Sequence, residues 1–202
     1  AYLRDHIVIS QVVASTGAAD KHEYVELYNP TTWAWTISDA LFDLRYVNQN
    51  NVEVTDIALT FNQTSITANG GYYLIANTGT VTAMGFSVVP DAVYSTLEQD
   101  VILKNKGGGL MITDNAGSTV YDKLAWTKNS APAENAPAQA TEGTAIQLNG
   151  GLNVGEQLVR SSAAFASINP AGGQNAWDSN ANATDFNVGA SPQDQNLAYS
   201  PK

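Results

Sequence analysis

Short stretches of alternating polar and apolar residues recur along the chain, and most end at Gly, Asn, Asp or Pro. In EYVELYNP (23–30), Val25 and Leu27 alternate with polar or aromatic residues. Because successive strand side chains point to opposite faces, this predicts a half-buried strand with a solvated carboxylate at Glu26. The Asn-Pro pair then ends the strand, since Asn bonds its own backbone and Pro cannot donate to a ladder.

Similar runs predict further strands, and no long segment carries a helical period beyond a single turn at 94–100. The glycines at 107–109 predict a hairpin turn before the strand 110–113, followed by a second hairpin. The pattern predicts an all-β, immunoglobulin-like β-sandwich with long loop insertions. The predicted strands are 6–14, 40–47, 71–76, 101–105, 110–113, 118–126, 144–150 and 156–162. The predicted interior residues are Val8, Val25, Leu27, Leu44, Leu74, Ile75, Leu103, Met111 and Trp126.

The length of 202 residues fits a single domain over 1–202, because sandwiches of about 200 residues form one core. The segment 127–143 is rich in Ala, Pro and Asn and poor in large apolar residues, which predicts a loop insertion. From residue 163 onward the sequence is rich in turn-forming residues, and we expect an extended C-terminal tail.

Several motifs occur in the order found in one known family. HIVISQVVASTGAADKHEYVELYNPTT is followed by GGYYLIANTG, by LKNKGGGLMITDNAGSTVYDKLAW, and then by GEQLVRSS. The chain resembles the lamin tail domain of secreted prokaryotic proteins in these motifs, over most of its length. The resemblance implies an immunoglobulin-like sandwich, and it implies little about function because such domains serve as binding, anchoring or structural modules.

Charge and composition exclude several classes of partner. The formal net charge is 9 − 19 = −10 and no Lys/Arg cluster occurs, so we expect no nucleic-acid binding. No apolar run approaches the roughly 18 residues of a membrane span. Cysteine is absent, which rules out disulfides and thiolate sites. The start at Ala1 fits a processed exported protein, and we expect an extracellular or cell-surface location.

The sequence offers no catalytic constellation. Neither His6 nor His22 stands beside a serine in a recognisable nucleophile turn. Glu23 and Glu26 are three residues apart on a strand and therefore face opposite sides, so they cannot act together on one bond. The glycines at 107–109 lack the Lys-Ser/Thr of a phosphate-binding loop. We therefore expect a protein that is not an enzyme and requires no cofactor.

One loop has the composition of a weak calcium site. DSNANATD places oxygen ligands at Asp178, Asn180, Asn182 and Asp185, a spacing that lets a loop curl around a hard cation. The loop lacks the turn-forming glycine of an EF-hand, so affinity would be weak, roughly 10⁻⁴ to 10⁻³ M. The alternative interpretation is a loop whose Asx side chains cap their own backbone.

Two function classes remain open. The low charge density and absent catalytic set favour a structural subunit that assembles with itself into a filament or surface layer, in part through a terminal strand added to a sheet edge. The alternative is a recognition module for a glycan or protein, in which Trp33 and Trp35 with Tyr28 stack on a sugar. Aromatic residues of this kind also close the end of a sandwich core.

Overall fold

The computed structural model describes residues 5–14, 23–54, 57–78, 89–94, 103, 105–129, 136–153, 156–161 and 178–190. Strands dominate, with 49% of residues against 6% in helices, in two large sheets. The predicted all-β sandwich is therefore confirmed. Among the described residues, no helix is both long and apolar enough to cross a membrane.

The larger sheet has seven strands in the order β14-β13-β1-β2-β8-β9-β6. All neighbours are antiparallel except β8 and β9. Its strands are β1 (Val8–Val13), β2 (Tyr24–Asn29), β6 (Leu59–Phe61), β8 (Gly71–Asn77), β9 (Ala92–Tyr94), β13 (Glu156–Arg160) and β14 (Phe186–Ala190).

The second sheet has five strands in the order β12-β11-β10-β4-β5, and a two-stranded ribbon pairs β3 with β7. These strands are β3 (Trp35–Thr36), β4 (Asp43–Asn48), β5 (Glu53–Val54), β7 (Ser65–Ile66), β10 (Gly107–Thr113), β11 (Val120–Lys128) and β12 (Ile146–Leu148). A short helix, α1 (Asn182–Asp185), precedes β14, and a 3₁₀ turn spans Ala138–Ala140.

The main core lies between the two large sheets. The seven-stranded sheet contributes Val25 and Leu27 of β2, and the five-stranded sheet contributes Leu44 and Trp126. All nine predicted interior residues are buried. Three of them, however, lie in smaller clusters outside the main core: Val8, Leu74 and Met111. Both sheets therefore bury side chains on more than one face.

The prediction of a solvated carboxylate at Glu26 is wrong. Every residue of β2 is buried, and Glu26 has 0% exposure. Its Oε1 accepts a hydrogen bond of 2.6 Å from the Ser10 hydroxyl on β1. Alternation correctly separates Glu26 from Val25 and Leu27, but it cannot show that the second face of a sheet is covered as well.

The predicted glycine hairpin is also wrong. Gly107, Gly108 and Gly109 are the first residues of β10 and pair with β11, so they do not form a turn. The second predicted hairpin is confirmed, because its turn lies at 114–119 between β10 and β11. A Cβ on Gly109 would come 2.4 Å from the Cβ of Ala140, and one on Gly108 would come 2.7 Å from the Tyr46 ring. Glycine is needed here for close packing rather than for a turn.

The segment predicted as a loop insertion is partly built into the fold. β11 runs through Lys128 and so includes the first two residues of the predicted loop, and Ala140 is fully buried against the five-stranded sheet with Met111 and Ala125. The segment predicted as an extended tail contains α1 and β14. The predicted helical turn at 94–100 and His22 lie outside the described residues, apart from Tyr94, which ends β9.

Candidate functional site

A buried ion pair joins the two large sheets. Arg160 of β13 and Asp122 of β11 are both fully buried, with 2.5 Å between Arg160 Nη2 and Asp122 Oδ2. The backbone of Ile9 on β1 completes the pair: its N–H donates to Asp122 over 2.6 Å, and its carbonyl accepts from Arg160 Nε over 2.6 Å. This arrangement connects β1, β11 and β13, and so links the two sheets at one position.

Other charged groups surround Arg160. Its Nη1 lies 3.6 Å from Asp178 and 4.0 Å from Asp185, and its guanidinium sits 4.5 Å from the centroid of the Phe186 ring. His6 Nε2 lies 3.6 Å from Asp178, beyond hydrogen-bond distance. We refer to this group as the charge cluster. Its members are His6, Asp122, Glu142, Arg160, Asp178 and Asp185.

Burial and neighbouring charges shift the pKa values of several residues in the charge cluster. Burial raises the pKa of Glu142 to about 8, and repulsion from Asp122 and Asp178 adds to the shift. Burial alone would raise the pKa of Asp178, but His6 and Arg160 outweigh it and hold that pKa at about 2. Burial would lower the pKa of His6, yet contacts with Asp178 and Asp5 leave it raised. Burial raises the pKa of Asp122, and Arg160 opposes that shift.

The four predicted calcium ligands make different contacts in the structure. Asp178 Oδ1 accepts the backbone N–H of Asn180, which is exposed, and both carboxylate oxygens of Asp185 accept the backbone N–H of Ser179. Asn182 Oδ1 accepts two backbone N–H groups, from Ala125 at 3.0 Å and Glu142 at 3.1 Å. Asn182 therefore has no oxygen lone pair left for an ion in this arrangement. Asp178 and Asp185 lie beside Arg160, whereas Asn180 is outside the charge cluster.

A different set of carboxylates has closer geometry for a metal. Asp122, Glu142 and Asp178 have ligand oxygens within 4.8 Å of one another. Glu142 Oε2 is buried and has no hydrogen-bond partner among the residues that the structure describes. Three carboxylate oxygens suit a hard cation. Arg160, however, already supplies a positive charge to Asp122, so an ion would have to share the carboxylates with the guanidinium.

The sequence analysis missed Asp122, Glu142 and Arg160, which are far apart along the chain. A signal was present for two of them. Asp122 shares its strand parity with Leu124 and Trp126, and Arg160 shares its parity with Leu158, all of which face the main core. Two charges of opposite sign at inward positions indicate a buried pair. Glu142 lies in an irregular segment, where alternation gives no information.

The edge strand β14 begins directly beside the charge cluster. Phe186, its first residue, pairs with Arg160, and Val188, its central residue, is 47% exposed. Within the part of the chain that the structure describes, β14 pairs with β13 on one side only. Its sequence FNVGA contains no charged residue and no proline. An unprotected edge of this kind is a template for another strand.

The predicted aromatic platform is not assembled. Trp33 is 49% exposed, and Tyr28 packs on Tyr72 with ring centroids 5.0 Å apart. Trp35 packs edge-to-face on Tyr121 instead, with centroids 5.1 Å apart, and contacts the main core. The structure therefore gives Trp35 an aromatic partner that sequence proximity did not suggest.

No protein-family model matches this sequence, and the comparison with curated proteins finds no match either.

Proposed function

We propose that the protein is a non-catalytic structural subunit that assembles with further copies of itself through the outer edge of β14. We also propose that the chain belongs to the lamin tail domain family, which it resembles, and that its sandwich is immunoglobulin-like. Its proposed location is extracellular or at the cell surface. The observation that carries the assembly proposal is the outer edge of β14, which pairs with no strand among the described residues, because backbone N–H and C=O groups on such an edge pair readily with an incoming strand.

The other edges of the two large sheets support this choice by contrast. β6 and β12 have three residues each, and β5 has two. Glu53 on β5 is paired with Arg45, and charge at an edge discourages strand addition. With five residues, β14 is the longest of the four edge strands. It is also anchored by the contact of Phe186 with Arg160, so a strand added there would meet a fixed template.

The symmetry of the contact at β14 decides whether assembly stops at a dimer or continues into a filament. If β14 paired with β14 of a second copy, the interface would be isologous and assembly would stop at a dimer. If β14 received a different segment of its neighbour, the contact would be heterologous and could continue into a filament. We propose the second arrangement, with a terminal segment as the incoming strand.

The test places a positive charge on the outer edge of β14. Val188→Lys should abolish higher assemblies seen by sedimentation velocity and negative-stain electron microscopy, because an edge lysine resists strand pairing. Val52→Lys is the matched control, since Val52 is 56% exposed and lies outside the seven-stranded sheet. It should assemble like the unmodified protein.

Two results would contradict the proposal: a strictly monomeric unmodified protein, or a Val188→Lys variant that assembles normally. Deletion of Asn196–Lys202 and, separately, of Ala1–His6 identifies the incoming strand. If neither deletion reduces assembly, the terminal-strand arrangement is wrong.

A further inference from the structure

A cavity of about 420 Å³ opens between the two-stranded ribbon and the five-stranded sheet. Trp35 of β3 and Tyr121 of β11 form an aromatic wall, and Phe42 adds a third ring. Asp114 and Asn115, from the turn between β10 and β11, also line the cavity. The volume lies within the roughly 300–1,000 Å³ that small-molecule sites occupy.

A second cavity of about 300 Å³ shares Phe42 and Asn115 with the first. The two cavities therefore adjoin at these residues, and together they offer room for more than one ring of a ligand. The second cavity also includes Asp39 and Asp43. No described lining residue of either cavity is Lys, Arg or His.

The lining has an apolar wall and neutral polar groups near it. The exposed side chain of Asn115 has no hydrogen bond within the described residues, and the hydroxyl of Thr36 is exposed at the same cavity. Each of these side chains can both donate and accept. Trp35 Nε1 is buried and has no hydrogen-bond partner within the described part of the chain, which native proteins tolerate mainly at functional sites.

The carboxylates of the lining are largely committed to the protein. Asp114 accepts hydrogen bonds from both the backbone N–H and the hydroxyl of Ser118, each at 2.7 Å. Asp43 is paired with Arg45 at 3.0 Å. These carboxylates repel an anionic ligand. Asp114, whose partners are neutral, and Asp39 have no cationic partner among the described residues, so they can still accept hydrogen bonds from a ligand. The groups open to a ligand are therefore the aromatic faces, Asn115, Thr36 and these carboxylate acceptors.

We propose that this cavity binds an uncharged carbohydrate, with the apolar face of one sugar ring against the Trp35–Tyr121 wall. Sugar hydroxyls donate and accept, which matches the amide of Asn115 and the hydroxyl of Thr36. An ammonium cation can only donate, so it would use the carbonyl oxygen of Asn115 but not its amide N–H groups, whereas a sugar can use both. This binding goes beyond the proposed assembly, since the cavity lies away from β14.

The test uses maltotriose, cellotriose and triacetylchitotriose as probes at millimolar concentration, followed by saturation-transfer NMR. At least one should bind, and Tyr121→Ala should weaken its binding about tenfold through loss of the aromatic wall. Asn115→Ala should weaken it about fivefold. Because Asn115 is exposed, its variant will fold even if Tyr121→Ala does not. Trp33→Ala is the matched control, and it should leave binding unchanged since Trp33 does not line the cavity.

Binding by none of the three sugars would overturn the proposal. So would binding of lysine methyl ester that Asn115→Ala weakens, because the cavity would then be a cation site. Measuring the sugars on the Val188→Lys variant separates the two proposals: sugar binding should persist there even though assembly is lost.

Discussion

Two ion-pair groups among the described residues have similar geometry but very different surroundings. Arg45 on β4 contacts Asp43 at 3.0 Å and Glu53 at 2.8 Å, and all three side chains keep some exposure to solvent. Arg160 contacts Asp122 at 2.5 Å, and both side chains have none. Water screens the first group and cannot reach the second.

This difference shows that burial, more than distance, determines how much stability is lost when one member of an ion pair is removed. Pairs that keep contact with water typically contribute 0.2–1 kcal/mol, roughly, because solvent replaces a lost partner. A buried charge left alone costs several kcal/mol, although the intact pair itself adds little net stability. The Asp122–Arg160 pair is therefore a point of vulnerability and a fixed contact between sheets rather than a large source of stability.

Breaking the buried pair should give the largest effect. Arg160→Ala leaves Asp122 as an uncompensated buried carboxylate and should lower the free energy of unfolding by about 3–5 kcal/mol. Arg45→Ala, the matched control in the group that keeps contact with water, should lower it by about 0.2–1 kcal/mol. Urea denaturation at neutral pH measures both.

Equal losses for the two variants would contradict the comparison. The double variant Arg160→Met/Asp122→Leu sharpens it, because it removes both charges together. It should recover part of the loss, since an apolar pair of similar volume avoids desolvation of charge. Recovery will be incomplete because the N–H and carbonyl of Ile9 lose their partners.

Glu142 should make the charge cluster sensitive to pH. Its pKa rises from 4.5 when unfolded to about 8 when folded, so the folded state holds a proton that the unfolded state has lost. The stability contributed by this group is complete below about pH 4.5 and disappears as pH rises through about 8. The charges that affect the pKa of Glu142 are those of Asp122, Asp178, Arg160 and Lys123.

Glu142→Gln removes this titration. After allowance for the partial exposure of the side chain, the variant should be more stable than the unmodified protein by about 1–2 kcal/mol at pH 8 and nearly equal to it at pH 4. Thermal unfolding at both pH values gives the difference, and the subtraction cancels the titration of His6. A difference that does not change with pH would show that folding does not raise the pKa of Glu142.

Calcium is expected to have the smallest effect. With a dissociation constant near 1 mM, about 5 mM calcium would stabilise the fold by about 1 kcal/mol, or about 2–4 °C in Tm. Asp178→Ala should abolish this rise, because Asp178 belongs to both candidate ligand sets. Asn180→Ala and Glu142→Gln then separate the sets, since each variant removes a ligand of only one. If calcium leaves the Tm of the unmodified protein unchanged, the segment 178–185 is a capped turn.

Strand periodicity predicted the fold class and much of the core. The alternation in β2 correctly placed Val25 and Leu27 between the sheets, and β4 placed Leu44 there while Asp43 and Arg45 faced the other way. Alternation failed where both faces are covered, as at Glu26. The prediction of a turn at Gly107–Gly109 also failed, because the glycine that close packing requires at Gly108 and Gly109 looks the same in sequence as the glycine of a turn.

The sequence by itself determined which side chains share a strand face, because that relation depends only on residues two apart. It also determined the absence of thiolate chemistry and the net negative charge. Tertiary structure decided which faces meet. The pairing of Asp122 with Arg160, of Trp35 with Tyr121, and the position of β14 at an edge all depend on contacts between distant segments. Such contacts are fixed by the packing of whole sheets, and local periodicity carries no record of them.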